Sequence, residues 1–181
     1  MNSPLGMIRL RIALGLLLCS AASCLRAQAP AQSGPAKDSA FQTYAQSATA
    51  ARDAGRADDA VRNYQAALKI DPNWQEGWWS LGTLLYQHDR YADAIPPFQT
   101  LTQLAPEASP AWIFLGLCEF ETKDYAKALE HLSQGQALGS IADPEIVRVA
   151  KYHLALLLIR TGDFDRANFL LASLANGGRS S

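Results

Sequence analysis

Three histidines, the cysteine Cys118 and a pair of aspartates are the residues of this chain best suited to chemistry. His88, His131 and His153 lie far apart, and none has a cysteine or carboxylate at the spacing of a zinc site. Asp163 and Asp165 flank a phenylalanine in a predicted turn, where carboxylates are more typical of helix caps than of an acid–base pair. There is no glycine-rich phosphate loop, nucleophile elbow or HExxH motif. The sequence therefore predicts a binding protein rather than an enzyme, with no cofactor and no metal.

The N-terminal residues have the pattern of a secretory signal peptide. Arg9 and Arg11 precede an apolar run over residues 12–22, and the small residues Ala27 and Ala29 follow it. We expect residues 1–29 to be removed after Ala29 and the protein to be periplasmic or extracellular, with no integral membrane span in the mature chain. The alternative is a membrane-anchored lipoprotein acylated on Cys24, although the residues before Cys24 lack the preferred large aliphatic side chain.

Cysteine content and charge agree with export and limit the class of partner. Cys19 and Cys24 lie in the predicted signal, so the mature chain keeps only Cys118, which lies in an apolar helical stretch and is predicted to be a small core residue. The predicted cleavage removes three of 16 basic residues and none of 17 acidic ones. The resulting net charge of about −4 argues against nucleic acid as a partner.

The rest of the chain repeats a helical pattern with a period of 34 residues. Moving 34 places on from Trp78, Gly82, Tyr91 and Ala94 gives residues of the same type, and so does moving from one proline to the next. The matching pairs are Trp78 and Trp112, Gly82 and Gly116, Tyr91 and Tyr125, Ala94 and Ala128, and Pro72 and Pro106. This pattern resembles the tetratricopeptide repeat, in which each repeat is a pair of helices that must stack on its neighbours to bury its apolar faces.

The resemblance implies an all-α protein, a right-handed superhelical solenoid of about four helix pairs. We expect a flexible linker over residues 30–38, a repeat domain over 39–175 and a disordered tail over 176–181. The four repeats are predicted at about 41–74, 75–108, 109–142 and 145–175. The last repeat is five residues out of period, so an insertion either lies in the preceding loop or lengthens the start of the next helix.

The resemblance also implies a concave groove, lined by the first helix of each pair, in which a protein or peptide partner lies. The implied groove residues are mostly aromatic or aliphatic: Trp79, Thr83, Tyr86, Ile113, Leu117, Phe120, Tyr152 and Leu156. Glu121 and Ile159 occupy further positions of this row, and the first repeat contributes the small or polar Ala45, Thr49, Arg52 and Asp53. The alternative is that part of this lining is simply core between repeats. The paired lysines and asparagines with which some family members bind a C-terminal carboxylate are absent.

The last predicted helix carries an apolar pair that a solvated solenoid end does not explain. Phe169 and Leu170 follow Asn168 at a place where the earlier repeats are not strongly apolar. Burying one such side chain contributes about 1.5–3 kcal/mol, so we expect this pair to meet a partner or a second copy in a homodimer. The alternative is that both residues fold back onto Leu154 and Leu158.

Overall fold

This computed structural model describes residues 35–139 and 143–177. These residues form eight α-helices joined by turns, and they contain no β-strand. The helices are α1 (Pro35–Asp53), α2 (Ala57–Ile70), α3 (Gln75–Gln87), α4 (Tyr91–Leu104), α5 (Ser109–Glu121), α6 (Tyr125–Ala137), α7 (Pro144–Thr161) and α8 (Phe164–Gly177). Each odd-numbered helix packs on the even-numbered helix that follows it, and each pair packs on the next pair. The predicted all-α solenoid of four helix pairs is confirmed.

The turn inside each pair has one backbone conformation that recurs with the repeat. Gly55, Asp89, Lys123 and Gly162 occupy equivalent positions, and all four have positive φ values, between +57° and +84°. Only glycine adopts this left-handed conformation without a steric cost, so Asp89 and Lys123 keep it because the helices on both sides impose it.

Small residues at the helix crossings let the two helices of a pair approach closely. Ala60, Ala94, Ala128 and Ala167 are all buried, as the repeat predicts. Gly82 and Gly116 lie opposite them in α3 and α5. A Cβ atom at Gly82 would lie 2.8 Å from the ring of Phe98, so the aromatic side chain occupies the space that glycine leaves.

The tryptophan and the proline of the repeat are joined by a hydrogen bond. The indole Nε1 of Trp78 donates to the carbonyl oxygen of Pro72, and that of Trp112 donates to the carbonyl oxygen of Pro106, both at 2.8 Å. Since each proline follows a second helix and each tryptophan lies in the first turn of the next first helix, this bond connects the start of one repeat to the end of the preceding one.

Two element boundaries differ from the sequence-based prediction. Helix α1 begins at Pro35, so residues 35–38 form its first turn rather than the end of a linker; proline is tolerated there, and Asp38 suits the positive end of the helix dipole. Helix α8 continues to Gly177, two residues into the predicted tail. The predicted signal peptide and the remainder of the linker lie outside the described residues.

The five extra residues of the last repeat lengthen a helix. Helix α7 has 18 residues where α5 has 13, and four of the extra residues stand at its start. The Asp143 carboxylate accepts a hydrogen bond from the backbone N–H of Glu145 at 2.8 Å, and Pro144 occupies the first helical position. Asp143 is therefore the N-cap that the sequence predicts.

Candidate functional site

The predicted groove residues occupy three equivalent slots on successive first helices, and their exposure changes along the solenoid. The slots hold Trp79, Thr83 and Tyr86 in α3, then Ile113, Leu117 and Phe120 in α5, then Tyr152, Leu156 and Ile159 in α7. The α3 slots are half-buried, two of the α5 slots are buried, and the α7 slots are exposed. We call these nine positions the inner row.

In α3, the aromatic members of the inner row pack against α4 of the same pair and against α5 of the next. The ring of Trp79 meets the edges of Phe98 and Phe114 at centroid distances of 6.0 and 5.3 Å. Tyr86 contacts Phe114 at 5.0 Å and Tyr91 at 5.4 Å. Each of the two side chains is therefore partly exposed and partly packed between α3 and α5. This agrees in part with the alternative interpretation, in which the lining is core between repeats.

Phe114 is the centre of this aromatic cluster, and the sequence did not indicate its role. It lies half-buried among Trp79, Tyr86 and Phe98, and it stacks on the Phe98 ring at 5.3 Å. Its equivalent one repeat earlier is Ser80, so the 34-residue self-match contains no signal for it. Its contacts arise only where α3, α4 and α5 pack together in the folded protein.

In α5, the groove prediction is wrong for Ile113 and Leu117. Each is 2% exposed: Ile113 lies against Gly135 of α6, and both residues join a buried cluster with Leu154 and Leu157 of α7. Phe120 is half-buried and meets the ring of His153 edge-on at 4.5 Å. A partner lying on the inner face therefore cannot reach Ile113 or Leu117 without displacing α7.

In α7, the inner row is open. Tyr152, Leu156 and Ile159 are 49%, 38% and 42% exposed. A cavity of about 320 Å³ adjoins Tyr152 and is lined by Arg148, Val149, His153 and Leu174 as well. Leu174 stands where α6 has Gly135, whose Cβ position lies only 2.8 Å from Ile113 Cγ1. The close contact that glycine permits between α5 and α6 is thus replaced here by a leucine and a gap.

The first repeat contributes a small and polar surface, as predicted. The Thr49 hydroxyl donates to the carbonyl oxygen of Ala45 at 3.2 Å. The Arg52 guanidinium pairs with the Asp53 carboxylate at 3.0 Å and donates to the hydroxyl of Tyr64 at 3.2 Å. The described first helices therefore pass from polar at α1 to apolar and exposed at α7.

Of the terminal pair, Phe169 is exposed, whereas Leu170 packs onto the core as the alternative prediction had both residues do. Leu170 is 4% exposed and packs in the same buried cluster as Leu154 and Leu158, so its prediction as an interface residue is wrong. Phe169 is 73% exposed. The helical period explains the difference, since adjacent residues point about 100° apart and only one of them can face the core.

A buried carboxylate in α5 was not anticipated from the sequence. Glu119 is 1% exposed, and its Oε2 lies 2.6 Å from Nδ1 of His131 in α6, while its Oε1 has no hydrogen-bond partner. One repeat earlier the two equivalent positions are Leu85 and Pro97, so a polar pair replaces an apolar one. Burial raises the pKa of Glu119, while His131 opposes the shift.

The Glu119→Gln variant is expected to become more stable relative to the wild type as the pH rises above about 4.3, the ordinary pKa of glutamate. Because the folded-state pKa is raised, the native protein binds this proton more tightly than the unfolded chain. Its stabilising effect is present below the unfolded pKa and is lost as the pH rises through the folded pKa. Urea unfolding of both proteins between pH 4 and 7 measures the difference, and a constant difference would contradict a raised pKa.

The described residues hold little other chemistry. Across 35–139 and 143–177, no group of three or more histidine, cysteine or acidic side chains could hold a metal ion. Cys118 is buried, and burial raises the pKa of its thiol to about 12.

Asp163 accepts a hydrogen bond from the backbone N–H of Arg166 at 3.3 Å and so caps α8. Among the described residues, no helix has the length and apolar character needed to cross a bilayer.

Comparison with known proteins identifies the repeat. A family model described as tetratricopeptide repeat matches residues 45–109 and 80–140. A crystal structure of MamA protein is 25% identical, covers 76% of this chain and 72% of its own, and has a TM-score of 0.66. YrrB, described as a TPR protein with an unusual peptide-binding site, is 19% identical with a TM-score of 0.62 over 74% of this chain and 66% of its own. The TPR2B domain of yeast Sti1, solved as a pHsp70 complex, is 16% identical with a TM-score of 0.55 over 67% of this chain and 98% of its own. No protein with a curated description matches.

Proposed function

Because this chain belongs to the tetratricopeptide repeat family, we propose that it is an exported scaffold that holds an apolar or amphipathic segment of a partner protein on its inner row. One observation carries the proposal: the α7 part of that row, Tyr152, Leu156 and Ile159, exposes three large apolar side chains side by side. Contiguous apolar surface of this kind marks interaction sites in soluble proteins.

The inner row and the polar surface of α1 offer a partner segment two different environments. At α7 it meets exposed apolar side chains and a cavity beside Tyr152 large enough for a side chain. At α1 it meets the charged pair Arg52 and Asp53. An amphipathic segment satisfies both ends. The peptide-binding site named for YrrB and the pHsp70 complex of the Sti1 domain are properties of those proteins, and they support a similar use of the fold here.

Export is the part of the proposal that rests on the N-terminal sequence. The arginines before an apolar run and the small residues Ala27 and Ala29 support cleavage after Ala29. The mature protein is then expected to begin at Pro30 and to be free of lipid. Intact mass spectrometry of the exported form measures this, and a species that starts at Cys24 and carries lipid would contradict it.

Partner capture is expected to depend on the aromatic side chains of the inner row. Tyr86→Ala, Phe120→Ala and Tyr152→Ala should each weaken binding, and at least one by more than about 1 kcal/mol if a hot spot lies there. Pull-down from an envelope extract with the mature protein, followed by titration of the captured partner, measures the loss. Ala126→Glu, at an exposed position of α6, is the matched control.

The stability of the same variants separates a binding surface from core. Tyr152→Ala should leave the free energy of unfolding almost unchanged, since half of its side chain is exposed. If it lowers stability as much as truncation of the buried Phe98, the inner row is core and the proposal is wrong. The alternative function, a structural homo-oligomer, predicts instead that the wild type sediments as a dimer and captures no partner.

A further inference from the structure

Each first helix after α1 docks on the preceding pair through the same four positions. They are spaced i, i+3, i+4 and i+7, the spacing of one helix face. The residues are Gly77, Ser80, Leu81 and Leu84 in α3, Ala111, Phe114, Leu115 and Cys118 in α5, and Ala150, His153, Leu154 and Leu157 in α7. All are buried or half-buried, and the first position is always small.

The surface that receives these positions is formed by the preceding second helix and, for α5 and α7, by the inner row of the preceding first helix as well. Phe114 of α5 contacts Trp79 and Tyr86 of α3, and His153 of α7 contacts Phe120 of α5. Ala150 and Leu154 line the same cavity as Ile113 and as Leu132 of α6. The second helix of the receiving pair therefore contributes through Leu132, whose equivalent in α8 is Leu171.

The last pair of the described residues repeats this receiving surface, and no described helix covers it. Its members are Tyr152, Leu156 and Ile159 of α7 and Leu171 of α8, which we call the end face. The three α7 residues are exposed and Leu171 is half-buried, because no helix of the described residues packs on them. Of their four equivalents in the preceding pair, on which α7 packs, Ile113, Leu117 and Leu132 are buried and Phe120 is half-buried.

We propose that the end face binds one amphipathic α-helix of a partner protein, which docks as a following first helix would. This inference rests on the proposed scaffold function and names the form of the partner segment. The argument is continuity: the same interface occurs twice within the chain, where α5 and α7 each contact both helices of the pair before them, whereas α3 docks mainly on α2. The corresponding surface of α7 and α8 retains large apolar side chains.

The repeated interface also specifies the chemistry of the partner helix. It carries a small residue at one position and apolar residues three, four and seven positions later.

A second copy of this chain arriving head to tail does not have that chemistry. Among the described first helices, α1 is the one whose docking positions meet no preceding pair. Those positions are Thr43, Gln46, Ser47 and Ala50, all small or polar and all exposed. They carry no large apolar side chain to cover those of the end face, so the partner is a different helix.

A peptide derived from α7 tests the proposal, since α7 is the helix that docks on the equivalent face of the same chain. The probe is residues 143–162, capped at both ends, with Leu156 and Ile159 replaced by glutamine to remove two exposed apolar side chains that do not dock. The control peptide also carries Leu154→Glu and Leu157→Glu. Binding to the mature protein is measured by calorimetry, and sedimentation of the protein alone is run in parallel.

We expect saturable binding of the probe to the wild type and to Ala126→Glu. Binding should weaken at least tenfold for Leu156→Glu or Ile159→Glu, both exposed positions that should leave the fold intact. The control peptide should not bind. Absence of binding, or equal binding by Leu156→Glu, overturns the proposal. A wild-type dimer that Leu156→Glu dissolves also overturns it, by showing a second copy on this face.

The outcome is distinguishable from failure of the scaffold function. If an extracted partner is lost on Tyr86→Ala but retained on Leu156→Glu, the inner row binds its segment elsewhere and only the helix proposal fails. If neither variant changes capture, the inner-row scaffold proposal fails as well.

Discussion

Gly116→Leu is expected to abolish cooperative folding of the two central repeats. A Cβ atom at Gly116 would lie 2.7 Å from Leu132 Cγ and 2.9 Å from the backbone nitrogen of Leu132. Side chains can rotate away from such a clash, but the backbone of α6 cannot move without separating it from α5. Overpacking usually costs about 1–3 kcal/mol, and a contact with backbone should fall at or above the upper limit.

Urea unfolding followed by circular dichroism measures this effect through both the midpoint and the m value. Ala126→Leu adds the same side chain at an exposed position of α6 and should change stability by less than about 0.5 kcal/mol. The smaller change Gly116→Ala is a sharper test, because alanine gains about 1 kcal/mol in helix propensity over glycine. We expect a net loss despite that gain. A more stable alanine variant would show that the helices are farther apart than the structure has them.

Phe98→Ala is expected to lower the free energy of unfolding by about 3–5 kcal/mol, the usual cost of truncating a buried phenylalanine. Phe98 is fully buried, stacks on Phe114 at 5.3 Å, and fills the space beside Gly82. Its removal leaves a void at the point where α3, α4 and α5 meet, so three helices lose contacts together.

The matched measurement is Tyr152→Ala, which removes an aromatic ring of similar size from an exposed position and should cost less than about 1 kcal/mol. Chemical unfolding of the two variants and the wild type under one set of conditions compares them directly. A loss below about 2 kcal/mol for Phe98→Ala would mean that the aromatic cluster collapses around the void. Equal losses for the two variants would remove the distinction between the core and the inner row.

The sequence by itself determined the helices, their pairing and the close-packing positions. Its 34-residue self-match predicts Gly82, Gly116, Ala94 and Ala128 at the crossings, and all are buried. This succeeds because a repeat has to satisfy the same local geometry each time, and glycine, alanine, tryptophan and proline each have a specific steric reason to recur. The predicted start of α1 was too late, because the sequence between Pro35 and Ser39 contains no residue that would end a helix.

Only the tertiary structure decided which inner-row residues a partner can reach. Tyr152 and Ile113 occupy the same slot of the repeat, yet one is 49% exposed and the other 2%. The difference does not reside in either residue or its neighbours in sequence. Ile113 lies against Gly135 of α6 and faces α7, whereas Tyr152 has Leu174 in place of that glycine and no described helix over it. The Glu119 and His131 pair is a similar case, since their contact joins two helices. A periodic sequence specifies what each slot is made of, whereas burial depends on what packs against it.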